Sequence, residues 1–132
     1  MAATFQCSVV TPESLILDAE VTQAILPAAD GEVGILARRA PLLARLGSGR
    51  LRLDLADGGS RTFFVSGGFA QMKNNQLAIL SDEARPASQI SRADAEAALR
   101  EAQALRGDTP QAFERKQRDL QRARGMLNAT SA

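Results

Sequence analysis

The sequence predicts an all-β amino-terminal domain, a sandwich or a barrel, followed by a carboxy-terminal α-helical hairpin, and three observations predict it. Apolar and polar residues alternate over short runs through about residue 84, the period of half-buried strands. Clusters of Gly, Asn, Asp and Pro cut those runs at close intervals, as turns do. From about residue 88 the apolar spacing changes to the three-and-four step of a helix. The expected division is a β-sandwich over 1–86 and a two-helix hairpin over 87–132.

Phe5, Cys7 and Val9 alternate with Gln6 and Ser8 and make the first strand, closed by Thr11-Pro12-Glu13-Ser14. Leu15 to Leu17 begins a second run, and Val21, Gln23 and Ile25 carry a third up to Pro27. The clearest strand is Arg50 to Leu55, where three leucines face one way and three charges the other. Asp57-Gly58-Gly59-Ser60 tolerates positive φ and turns the chain into a hairpin partner, Arg61 to Ser66. Gly67-Gly68 interrupts it, Phe69 to Lys73 resumes, Asn74-Asn75 turns, and Leu77 to Leu80 closes the series. Many short strands so closely spaced read as a sandwich or barrel.

Ser91, with Asp94 three residues on, resembles a capping arrangement. Ala95, Ala98, Leu99, Ala102 and Leu105 then recur at helical spacing, with Arg106 in the last turn and Gly107 as the exit. Thr109-Pro110 gives an N-cap followed by Pro at the first helical position. Phe113, Leu120 and Leu127 follow at intervals of seven. The seam holds few large apolar residues, each worth roughly 1.5–3 kcal/mol when buried, and many alanines. Such a hairpin is marginal alone, so it must lean on the β domain or a partner, and easy separation suits a movable element.

Composition narrows the function. Of 132 residues, 45% are hydrophobic and 23% charged, ordinary values for a globular chain with one core. No apolar run reaches the roughly 20 residues of a membrane span. The start lacks the basic and apolar segments of a secretory signal, so a cytosolic-side protein is expected. Cys7 alternates with core positions and reads as an inert buried thiol. With no His, the commonest general base and metal ligand are missing, and no GxSxG, P-loop or ligand cluster replaces them. No Trp or Tyr supplies a stacking platform, and a net charge of +1 gives no strong field for polyanions, so a nucleic-acid role is disfavoured. Charge divides with the fold: residues 1–84 carry 7 Lys/Arg and 9 Asp/Glu, net −2, and residues 85–132 carry 9 and 6, net +3. Arg115, Arg118 and Arg122 share a helical face beside Lys116 and Arg124. That face is either a solvated one braced by Glu114–Arg118 and Asp119–Arg122 pairs or a basic ridge for an acidic protein surface.

Three stretches together resemble the ε subunit of the F-type ATP synthase: Val10-Thr11-Pro12-Glu13; Pro27 to Leu36 with its Asp30-Gly31-Glu32-Val33-Gly34, running on to Ala40-Pro41-Leu42-Leu43; and Phe64-Val65-Ser66-Gly67-Gly68-Phe69, with Asn75 and Ile79-Leu80 behind it. Their order, followed by a helical hairpin, covers essentially the whole chain. The resemblance implies a sandwich of about ten strands and a non-catalytic place in the rotor's central stalk, where the sandwich packs on the γ subunit and touches the polar loops of the membrane c-ring. The segment with Glu32, Arg38, Arg39, Ala40 and Pro41 matches the ring-facing part, although Gly31 and Gly34 also suit plain turns. The resemblance further implies that the hairpin can extend along γ and suppress ATP hydrolysis, with Arg115, Arg118, Arg122 and Arg124 meeting an acidic segment of the catalytic β subunits. The implied location is peripheral, on the cytoplasmic face of a bacterial plasma membrane or the stromal face of a thylakoid.

Two departures stand out. Arg38-Arg39 replaces the family's usual Gly-His before Ala-Pro-Leu-Leu, which adds two positive charges there. Members that bind ATP carry Ile/Leu-Asp-x-x-Arg-Ala at the first helix, whereas this chain reads Ile90-Ser91-Arg92-Ala93-Asp94-Ala95. Neither the Asp nor the Arg is in place, so no ATP or other cofactor is expected. The competing reading is a stand-alone β-sandwich module for a protein or carbohydrate, which would want more aromatics than five Phe.

Overall fold

The computed structural model describes residues 3–130. Nine strands form one hydrogen-bonded ladder: β1 (Phe5–Val10), β2 (Leu15–Ala28), β3 (Gly31–Leu36), β4 (Leu42–Arg45), β5 (Ser48–Leu55), β6 (Ser60–Ser66), β7 (Phe69–Lys73), β8 (Gln76–Leu80) and β9 (Glu83–Pro86). Their order is β4-β7-β8-β1-β2-β5-β6-β9, with β3 also on β2. β1 and β8 pair in parallel, and the other pairs are antiparallel.

β2 folds this ladder into two layers. Its first half pairs with β1, and its second half pairs with β3 and β5. A register shift between Val21 and Gln23 marks where the strand passes from one layer to the other, as bulged corner strands do. The second and third runs expected from sequence are therefore a single strand. Pro27 does not end it, because pairing with β5 has stopped at Ile25 and no ladder bond needs its missing N–H. Its carbonyl accepts from Gly47 N at 2.8 Å.

Inward residues of both layers form one core: Phe5, Cys7 and Val9 of β1, Leu51 and Leu53 of β5, Phe63 and Val65 of β6, and Leu77 and Ile79 of β8. The turns behave as their residues require. Asn74 and Asn75 have φ of 53° and 59°, the geometry of a two-residue hairpin between β7 and β8. Gly67 and Gly68 have φ of 74° and 93°, and a Cβ on Gly68 would strike the Leu80 carbonyl.

A 3₁₀ turn (Ala87–Gln89) leads into α1 (Arg92–Ala104) and α2 (Pro110–Thr130). Ser91 Oγ accepts from Asp94 N at 3.0 Å, and Thr109 Oγ1 accepts from Ala112 N at 3.1 Å, so both expected N-caps are present. The expected exit at Arg106-Gly107 is not. α1 stops at Ala104, where Leu105 N donates three residues back to Ala102 O at 3.3 Å and Leu105 turns extended. α2 lies against the outer face of β5 and β6, with α1 packed on it. Phe64 points out of the sandwich into a second cluster with Ile90, Ala95, Met126 and Ala129. The hairpin thus leans on the β domain. Leu120 is buried as the seven-residue spacing suggested, whereas Phe113 remains about half exposed near the tip.

Candidate functional site

Among the described residues no group of three or more His, Cys, Asp or Glu is placed to hold a metal ion. The segment read from sequence as one ring-facing loop is split by the fold. Glu32 sits on β3, exposed, opposite Pro27 and one step from the turn at Ala29–Asp30. Arg38, Arg39, Ala40 and Pro41 are exposed in the loop at the other end of that strand. Four strand steps at about 3.3 Å each put Glu32 on the order of 13 Å from the strand end at Leu36, where the chain turns through Ala37 and Arg38. Gly34 lies within β3 opposite Ile25, so it makes no turn, while Gly31 with φ of 133° does.

Each end has its own anchor. Arg38 adopts φ of 64°, and its N–H donates to Asn75 Oδ1 at 2.8 Å. Asn75 Nδ2 in turn donates to Thr4 O at 2.9 Å, tying the loop, the β7–β8 turn and the start of the chain together. At the Glu32 end, Ala29 N donates to Arg45 O at 2.9 Å and binds the turn to β4.

Arg45 begins a row that crosses the outer face of the first layer. Strand register places Arg45 beside Phe69, Phe69 beside Leu80, Leu80 beside Val10 and Val10 beside Leu15. Phe69, Leu80 and Leu15 are 49%, 51% and 59% exposed, and Leu43 nearby is 67% exposed. Aligned apolar residues at this exposure mark an interaction face. Sequence reading placed Leu15, Phe69 and Leu80 in strands but gave no strand to Leu43 and Arg45, and it could not choose which face would be left open.

The hairpin arginines are not one ridge. Arg115 pairs with Asp119 at 3.8 Å beside the groove between α1 and α2. Arg118 lies by a cleft lined by Arg45, Asp82 and Glu83, and Arg124 by one lined by Ala29 and Ser48. Arg122 turns inward: Nε meets Glu83 Oε1 at 2.8 Å and Nη2 meets Oε2 at 2.7 Å. The expected Asp119–Arg122 brace is replaced by this pair, because Arg122 falls on the sandwich side of α2. Hydrogen bonding from Arg122 holds the Glu83 carboxyl below its ordinary range, against the desolvation of partial burial, and Glu83 raises Arg122 in turn. Closer packing flanks the pair. Gly125 rides on Ser48 so closely that a Cβ would come within 2.5 Å of its carbonyl carbon, and Asn128 Oδ1 accepts from Arg50 N at 3.2 Å. Glu83, Gly125 and Asn128 were absent from the sequence reading, although a glycine inside a long helical run is itself a signal of close packing.

The match to the ATP synthase delta/epsilon chain β-sandwich domain runs over residues 4–87. The chain is 40% identical over 125 residues to the ATP synthase epsilon chain of Rhodopirellula baltica, covering 95% of this chain and 97% of that one. This chain belongs to the ATP synthase epsilon chain family. The Synechococcus epsilon chain is 38% identical over 128 residues, covering 96% of this chain and 93% of the relative. A subunit in the Euglena gracilis mitochondrial ATP synthase superposes with a TM-score of 0.83 at 23% identity, over 96% of this chain and 81% of that one, and so shares the fold.

Proposed function

We propose that this epsilon-family chain is a non-catalytic rotor subunit of an F-type ATP synthase, coupling the γ subunit to the c-ring, with a hairpin that restrains ATP hydrolysis when it leaves the sandwich. The observation that carries the rotor reading is the exposed row Arg45–Phe69–Leu80–Val10–Leu15, a sheet face suited to a large apolar partner such as γ. The turn beside Glu32 is hydrogen-bonded to Arg45, so this end continues the same surface and suits the ring contact. The Arg38–Pro41 loop lies at the other end of β3, tied to Asn75 and not to Arg45.

Cysteine cross-linking in the assembled complex separates the two ends. Glu32→Cys should give an adduct with the ring and Arg39→Cys should not. An adduct from Arg39→Cys alone would transfer the ring contact to the other end.

The regulatory part rests on Arg115, Arg118, Arg122 and Arg124 meeting an acidic β-subunit segment once α2 is released. In the docked state only one of them, Arg122, is committed to the sandwich. ATP is not part of the reading, because Ser91 and Asp94 form the α1 cap where ATP-binding relatives need Asp and Arg. Micromolar binding in isothermal titration would overturn that. No helix among the described residues is long and apolar enough to cross a membrane, and the chain is read as peripheral on the cytoplasmic or stromal face.

A further inference from the structure

Glu83 stands at the start of β9, just before the chain leaves the sandwich for the hairpin. Its backbone is fixed: the buried Ser81 hydroxyl donates to Glu83 O at 2.6 Å. Its carboxylate meets Arg122 through two nearly equal bonds of 2.8 and 2.7 Å, the fork geometry that guanidinium gives and ammonium does not. The guanidinium is held on its other sides as well. It lies 5.8 Å over the Phe64 ring, and Nη1 is 3.4 Å from Met126 Sδ. Arg122 is thus a shaped carboxylate site, and the sandwich fills it.

We propose that Glu83 is an internal competitor for the partner carboxylate: it occupies Arg122 in the docked hairpin, so that α2 presents this arginine to an acidic protein segment only after leaving Glu83. This deepens the hairpin reading above and rests on it. Arg118 and Arg124 are exposed in the docked state and can steer an acidic segment towards the hairpin. Arg122 cannot join them without breaking two charge-assisted bonds. The apparent affinity of the basic helix for an acidic segment is therefore reduced by the fraction of chains that remain docked. The pair is partly exposed, at 39% and 27% of the side chains, so its contribution is screened and the lock is weak enough to open.

The test uses the full chain, a fluorescent glutamate-rich peptide as the probe, and amide exchange of α2. Glu83→Gln and Arg122→Gln should both speed α2 exchange, by about two- to fivefold. Their effects on the peptide should be opposite: Glu83→Gln tightens binding several-fold and Arg122→Gln weakens it. The double variant should bind no better than Arg122→Gln. Asp82→Asn removes the neighbouring charge without touching Arg122 and should leave peptide binding unchanged. Unaltered exchange of the β1 and β8 amides shows that the variants fold. A purely structural pair would move both single variants in the same direction, and that result overturns the proposal. So does an Asp82→Asn effect equal to that of Glu83→Gln. Hydrolysis unaffected by hairpin removal, with the opposite peptide shifts intact, would instead retire the brake while leaving the competitor in place.

Discussion

Gly125 gives the sharpest test of how the hairpin is held. In an isolated helix, Gly→Ala is favourable by about 1 kcal/mol, so propensity alone says that Gly125→Ala stabilises α2. The docked geometry says the reverse. The new Cβ would lie 2.5 Å from the Ser48 carbonyl carbon, 2.6 Å from its oxygen and 2.7 Å from its Cβ, and backbone cannot swing aside. α2 must lift by roughly an ångström, and overpacking of this kind costs about 1–3 kcal/mol. The lift also strains the Asn128–Arg50 bond, worth about 0.5–1.5 kcal/mol. Set against the propensity gain, the net loss is about 0.5–3.5 kcal/mol with its centre near 2, or roughly 30-fold in the docked population. Amide exchange across α2 should speed by that factor while the β1–β8 ladder stays protected. Slower exchange in Gly125→Ala would refute the reasoning, because it would mean that α2 does not sit on β5 at Ser48.

Two further outcomes follow from the same geometry. Glu83 has its carboxyl pKa depressed in the docked state, so its contribution is fully present above the undocked value and is lost as pH falls through the docked one. Exchange of α2, corrected for intrinsic rates, should therefore rise below about pH 4.5, and the Glu83→Gln variant should lack that rise. Gly68→Ala should destabilise the sandwich by about 2–5 kcal/mol in urea unfolding, since φ of 93° and the Leu80 carbonyl both oppose a side chain.

The two-part division was legible because it rests on local periods: alternation through Arg50–Leu55 and Phe5–Val9, and the three-and-four spacing after Ser91. The N-caps at Ser91 and Thr109 were legible for the same reason, each being decided within three residues. Other features were decided by distant partners. Pro27 reads locally as a stop, yet β2 passes through it because of where pairing with β5 ends. Glu32 and Arg38 look like one loop until β3 separates them. Arg122 looks like one more solvated arginine, and only the position of Glu83, 39 residues away in the chain, turns it inward. Arg106 and Gly107 carry a plausible helix exit, but the helix ends two residues before Arg106.

The central claim is that a sandwich fixed in the rotor carries a releasable brake. Its most direct test is ATP hydrolysis by the parent complex with and without residues 88–132. Faster hydrolysis in the truncated complex, with proton coupling retained, is the predicted result. Unchanged hydrolysis would contradict the brake.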